Sequence, residues 1–394
     1  MGSADPAAGR YPVAAAALAL LLAGVFIPSP LYQYYRAHWG LTPGEISIVF
    51  AIYAGSLIPT LLFFGGVSDR LGRRNTLSIA MGIAALAALA LACASNLWIL
   101  LAGRVLQGIS IGIGVPTATA AIREWIAPGM ENRVGNVAII AVAVGSSFGA
   151  VLGGVLAQYA PWPTGLPFAT YIVFLAIMVL VVRSVPSCPH CVRAWHHGLP
   201  VIPPGIRHPF FIAAAQSFVG WSVLAIFASL VPSFVESTLG VFNLTIGSLV
   251  ICLIQSGSLL AAYVSSRLSN RAAILTALVA LGAGLWTLLL AVPHHLLVLL
   301  GLGVIIAGLG NGLGYVAGLN IVSAIAPPEH RAETLSALFV ASYLGFSIPA
   351  LAVGLAANHV GLYVAIVGAA ITLGFVAVAI MLATTQHNLE AATA

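Results

Sequence analysis

Ten consecutive residues, Gly65-Gly66-Val67-Ser68-Asp69-Arg70-Leu71-Gly72-Arg73-Arg74, gather one carboxylate and three guanidinium groups in a chain that is otherwise poor in charge. Such a set supports ion pairing that can be made and broken. Asp69 can pair with a cation or with the positive end of a helix. Arg73 calls for an acid, and Glu124, at the end of a later apolar segment, is placed best. A plainer reading is a basic loop that only fixes orientation. A second set is Arg104, the only formal charge well inside an apolar run, with Gln107 one turn away on the same helical face. An arginine at mid-membrane costs about 2.5–3.5 kcal/mol on insertion scales, so it needs a cavity, carbonyls or an anion. It either anchors its helix to backbone carbonyls near Pro28 and Pro30, or serves a substrate- or proton-linked site. A third set, Cys188-Pro189-His190-Cys191 with His196 and His197, has the ligand types of tetrahedral zinc. Only one cysteine pair occurs there, in a short proline-bearing stretch, so we expect a polar linker, no bound metal and no cofactor.

The rest of the chain is built to lie in hydrocarbon. Charged residues are 6% and hydrophobic residues 61% of the 394, against about 25% charged in soluble domains. A span needs roughly 20 apolar residues, and breaks at Gly, Pro, Asn and Arg leave twelve candidates: 12–36, 44–66, 76–95, 98–121, 134–158, 165–183, 209–232, 243–266, 271–291, 295–320, 332–356 and 360–384. All 14 basic residues are arginine. With a cytoplasmic amino terminus, twelve of them fall on the cytoplasmic side, Arg36 outside and Arg104 within a span. That bias orients both termini to the cytoplasm and explains the basic charge without nucleic acid. Cys93 and Cys252 read as small packing residues, and no cleavable leader is expected.

The chain also repeats itself. Ser265-Ser266-Arg267-Leu268-Ser269-Asn270-Arg271 is a worn copy of the basic loop, 197 residues on. Gly108-Ile109-Ser110-Ile111-Gly112-Ile113-Gly114 is echoed by Gly308-Leu309-Gly310-Asn311-Gly312-Leu313-Gly314, and Ile126-Ala127-Pro128 by Ile325-Ala326-Pro327. Two parallel six-helix bundles follow, 1–183 and 208–394, joined by a linker at 184–207. Duplication of this kind is how many secondary transporters are built. The copies are unequal: Ser266 stands opposite Asp69, and Val304 opposite Arg104.

These motifs together resemble the major facilitator superfamily in its twelve-helix form, and its drug/proton antiporter branch in particular. Gly65, Asp69, Arg70, Gly72, Arg73 and Arg74 match the loop between the family's second and third helices. Arg104, Gln107 and Gly108 match its R-x-x-Q-G pattern in helix 4. Gly145, Gly149, Gly153 and Gly154 match most of a helix 5 glycine pattern, with Ala150 where proline is usual. The resemblance implies alternating access, with Asp69 latching against the start of helix 11 near Glu333, and a cavity between the halves.

The polar candidates for that cavity are Tyr32, Gln33, Tyr53, Gln107, Gln216, Trp221, Gln255, Asn311, Tyr315 and Tyr343. Each could equally be an interhelical contact. No carboxylate lies deep in a span; Glu45 and Glu236 come nearest. A dedicated cation exporter is therefore disfavoured. The expectation is an all-α membrane protein, a monomer in the bacterial inner membrane. It would export neutral or amphipathic small molecules, driven by protons. One alternative is a uniporter or symporter of an anionic or polar metabolite held by Arg104; another is a metal-dependent sensor or enzyme at the Cys/His linker. No catalytic dyad or nucleotide-binding loop is present to support an enzyme.

Overall fold

A computed structural model describes residues 9–64, 67–127, 130, 134–186, 202–239, 243–291, 293, 294, 296–327 and 331–386, with residues 229–239, 331, 332 and 386 described by backbone alone. All regular structure among them is helical. The elements are α1 (Tyr11–Phe26), α2 (Pro28–Trp39), α3 (Pro43–Phe64), the short α4 (Val67–Leu71), α5 (Arg73–Ala92), α6 (Leu97–Trp125), α7 (Val134–Tyr159) and α8 (Leu166–Ser184). After them come α9 (Arg207–Leu239), α10 (Leu244–Ser265), α11 (Asn270–Ala291), α12 (Leu297–Ile325), α13 (Arg331–Val360) and α14 (Leu362–Gln386). Counting α1 and α2 as one interrupted span, twelve helices are long and apolar enough to cross a membrane. The fold is the all-α, twelve-span membrane architecture expected from the sequence. The linker residues 187–201, with Cys188, Cys191, His196 and His197, lie outside the described residues, and among the described ones no group of metal-ligating side chains occurs.

Local chemistry sets the boundaries. Asn96 opens α6 by accepting from the Ile99 amide at 3.1 Å, and Asn243 opens α10 by accepting from the Thr245 amide at 2.9 Å. Before α3, the Glu45 carboxylate accepts from the Thr42 amide at 2.8 Å while Thr42 Oγ1 accepts from the Glu45 amide at 3.2 Å. That reciprocal pair is a capping box, and it gives Glu45 a local structural task. The first span breaks at Ile27, where Pro28 and Pro30 follow in quick succession. Proline has no N–H and cannot close the bond to the carbonyl four residues earlier.

Apolar side chains face outward along the spans, among them Phe63, Leu86, Leu180 and Phe375, each more than half exposed. Water would penalise that surface and lipid does not. Trp98, Tyr159 and Trp162 are exposed at one common set of helix ends, where amphipathic rings suit a membrane boundary.

The repeat is visible in single hydrogen bonds. Arg74 Nη1 donates to the Val185 carbonyl at the end of α8 at 3.3 Å, and Arg271 Nη2 donates to the Thr385 carbonyl in the last turn of α14 at 3.1 Å. Each half thus uses the same loop arginine to bind carbonyls left over at the end of its sixth span.

By packing, the chain forms two compact units, residues 1–32 with 55–197, and residues 33–54 with 198–394. In the second unit the Gly44 amide donates to Asn358 Oδ1 at 3.2 Å, and the rings of Phe50 and Phe346 lie 4.5 Å apart. The sequence repeat assigns the segment 33–54 to the first half, whereas its side chains are buried with α13.

Candidate functional site

In the first unit, Gly72 has a φ of +79°, which lets the chain turn sharply from α4 into α5. That turn presents Arg73 between two acids. Its Nη1 lies 2.7 Å from Asp69 Oδ1, its Nη2 lies 2.7 Å from Glu124 Oε1, and its Nε donates to both Glu124 oxygens at 3.1 Å. Arg73 also donates to Ser68 Oγ. The sequence placed Glu124 opposite Arg73, and the structure brings them together with Asp69 as a second acid. Both carboxylates are more than a third exposed, so each pair contributes little to stability. Glu124→Gln is accordingly expected to lower stability by less than about 1 kcal/mol, read as the thermal midpoint in detergent; a larger loss would assign the pair a structural role. Arg70 is exposed, and Gly65 lies outside the described residues. In the second half, Asn270 and Asn320 stand 3.4 Å apart, Asn270 occupying the place of Arg73. Among the described residues, the second half shows no such charged cluster at this loop.

Arg104 is buried deep in α6, 1% exposed, and its Nη1 donates to Gln107 Oε1 at 2.7 Å and to the Val25 carbonyl at 3.3 Å. Gln107 Nε2 in turn donates to the Gly24 carbonyl at 2.7 Å. Gly24 is four residues before Pro28, so its carbonyl lost its helical donor at the break. The pair therefore ties α6 to the interrupted span, one turn earlier than the prolines themselves. Arg104 and Gln107 thus both reach carbonyls of the interrupted span, the contact an anchoring role requires. Tyr32, in the same unit, is buried.

Three glycines of α7 face the first span. A methyl group at Gly145, Gly149 or Gly153 would meet the carbonyl of Ala19, Ala23 or Ile27 respectively. Gly154 and Ala150 are buried nearby in the same helix. Spacing by four puts the glycines on one stripe, where backbones approach as in other small-residue helix contacts.

The second unit holds most of the remaining candidates. Around Trp221 of α9 lie Tyr315 of α12 at 6.2 Å, Tyr343 of α13 at 5.5 Å and Phe346 of α13 at 5.6 Å between ring centroids. Tyr53 of α3 is 6.5 Å from Phe346. Gln216 is fully buried, and neither of its amide atoms has a hydrogen-bond partner. Trp221 Nε1 and Asn311 Oδ1 are likewise buried and without one. Gln33 is buried in α2 in the same condition, and Gln255 is buried in α10. Glu236 is described by backbone alone. Phe346 and Phe50 were not singled out from the sequence, since a phenylalanine in an apolar span carries no mark that separates it from core.

A model of the Major Facilitator Superfamily matches residues 14–256, more than half of the chain. The chain belongs to that superfamily. Members similar to it include an uncharacterised MFS-type transporter, YybF of Bacillus subtilis, 27% identical over 164 residues that cover 41% of this chain and 40% of YybF. The niacin transporter NiaP of Acinetobacter baylyi is 34% identical over 24% of this chain and 22% of its own length. The quinolone resistance protein NorA of Staphylococcus aureus is 26% identical over 35% of this chain and 36% of its own. The chain thus matches well under half the length of these superfamily members, all of them transporters by name except the resistance protein. Two solved structures share the superfamily fold over nearly the whole chain. A bacterial homologue of the human lysosomal transporter Spinster aligns with a TM-score of 0.71 at 16% identity, covering 99% of both chains. The nucleoside transporter NupG aligns with a TM-score of 0.72 at 15% identity, covering 94% of this chain and 99% of its own.

Proposed function

We propose that this chain is a proton-driven exporter of neutral or amphipathic small organic molecules, working by alternating access in the bacterial inner membrane with both termini in the cytoplasm. The observation that carries the substrate reading is the second unit's aromatic group around Trp221, which stands beside buried amides and an indole N–H rather than beside charges. An apolar wall with a few convergent polar groups suits a ligand with a ring body and few polar handles. The likeness to a resistance protein of Staphylococcus aureus supports export, and the excess of arginine on one side supports the orientation. Neighbours named for niacin and riboflavin are compatible with ring-shaped cargo.

In this reading Asp69, Arg73 and Glu124 form a latch at the cytoplasmic end of the first unit. Both acids are part-exposed, so the pairing of Arg73 with Asp69 and Glu124 can be made and broken without opening the core. The bundle 1–183 would move against 208–394 through the linker 184–207. The test is transport by purified protein in proteoliposomes, using the neutral dye N-phenyl-1-naphthylamine with and without an imposed pH gradient. Accumulation that follows the gradient and collapses with a protonophore is expected. Flux indifferent to the gradient would sink the proton-driven part.

A further inference from the structure

We infer that the second unit recognises an uncharged planar ring compound through a carboxamide-type edge, a donor and an acceptor side by side, read by Gln216, Asn311 and Trp221. The inference rests on the proposed transport role for its physiological use, and on the geometry for its chemistry.

The seam between α9 and α12 is held close by glycine on both sides. A methyl group at Gly314 would run into the Gln216 amide, and one at Gly220 would sit 3.0 Å from Asn311 Oδ1. Gln216 and Gly220 are four residues apart on α9, and Asn311 and Gly314 three apart on α12. The two amides are therefore stacked along one seam about one helical turn, roughly 5 Å, apart. Trp221, next to Gly220, brings its ring toward Tyr315, which lies one turn beyond Asn311. A glutamine amide offers two donors and one acceptor, a tryptophan N–H one donor, and an asparagine oxygen an acceptor. Both Gln216 amide atoms, Trp221 Nε1 and Asn311 Oδ1 are buried without a hydrogen-bond partner. Groups in that state are costly unless something meets them, and what meets them must itself present both donors and acceptors.

The surroundings decide the charge. Among the described side chains of α9 to α14, every arginine and glutamate lies in the first turn of its helix: Arg207, Arg271 and Glu333. Among these described side chains a carboxylate ligand would face no cation at the seam, and a cationic one no carboxylate. An ion moved there would lose its hydration without a counter-charge. Ring walls from Trp221, Tyr315, Tyr343 and Phe346, meeting at tilted and edge-on angles of 51° to 77°, favour a flat apolar body.

Benzamide, benzoate and benzamidine share one ring and one shape, and differ in charge and in donor–acceptor pattern. Binding of each to the purified full-length chain in detergent, by equilibrium dialysis and by shift of the melting midpoint, separates the possibilities. Benzamide is expected to bind at least tenfold tighter than either ion, and Asn311→Leu and Trp221→Phe are each expected to weaken it by about fivefold to tenfold. Trp221→Phe keeps an aromatic ring in place, so its effect isolates the N–H and guards against a folding failure in Asn311→Leu. Equal or tighter binding of benzoate or benzamidine overturns the inference, as does benzamide binding unchanged in both variants. Absence of any benzamide binding also overturns it, since water alone would then serve these groups. No proton gradient enters this experiment. Its failure leaves gradient-driven transport intact, and a failed gradient experiment leaves the binding result intact.

Discussion

Gly149→Ala is expected to lower the stability of the protein by about 3 kcal/mol, enough to remove most monodisperse protein from detergent extracts. Over-packing of a close-packed site costs about 1–3 kcal/mol and occasionally more. Here the added methyl would meet the backbone of α1 itself, with its carbon 2.6 Å from both the carbonyl carbon and the Cα of Ala23. Backbone cannot swing aside like a flexible side chain, so α1 and α7 must separate. Gly145 and Gly153 sit one turn to either side and hold the same approach, so the separation would loosen three turns together. Gly82→Ala is the matched control. Gly82 lies within α5 with nothing within 4 Å of an added Cβ, and the exchange should be neutral or stabilising by up to about 1 kcal/mol through helix propensity. Thermal midpoints and size-exclusion profiles of the two variants, taken side by side, check this. Equal midpoints would show that the stripe tolerates a methyl and that the helices are not held by it.

Gln107→Leu is the second large effect, about 2–3 kcal/mol. It removes a donor from the Gly24 carbonyl and takes from Arg104 its 2.7 Å acceptor. Both losses occur in a buried setting, where an unmet polar group costs most. The mechanism has a specific signature, because Gly24 needs an outside donor only on account of Pro28. Pro28→Ala supplies a backbone N–H four residues after Gly24. Combined with Gln107→Leu, it should recover about 1 kcal/mol, a favourable coupling in a double-mutant cycle. If Pro28→Ala changes stability equally in both backgrounds, the freed carbonyl is not what Gln107 serves.

Much of this was legible along the chain. The spans, the repeat and the pairing of Arg73 with Glu124 follow from patterns whose cause is local or nearly so: apolar runs long enough for a bilayer, glycine and proline at the breaks, and opposite charges at adjoining helix ends. The Thr42–Glu45 box is equally readable from its three-residue spacing ahead of an apolar run, and it gives the Glu45 carboxylate a local partner. Other features were hidden for a physical reason. Whether Arg104 faces a ligand or a carbonyl depends on which helix lies beside α6 and at what height, and spacing within α6 does not contain that. The assignment of residues 33–54 to the second packing unit is of the same kind. It comes from the fit of Phe50 and Ser47 against α13, more than 280 residues away.

The sequence by itself determined a duplicated twelve-span membrane protein, its charged loop in one half and its lack of acids deep within the spans. Hydrocarbon imposes these patterns on composition, so they survive without coordinates. Only the tertiary structure decided what the polar groups inside the spans meet. It bound Arg104 and Gln107 to carbonyls at the Pro28 break, and it left the Gln216 amide, Trp221 Nε1 and Asn311 Oδ1 buried without a hydrogen-bond partner beside a group of rings. Hydrogen bonds are short-ranged and directional, and helices distant in sequence must be packed before any such bond is made or left open.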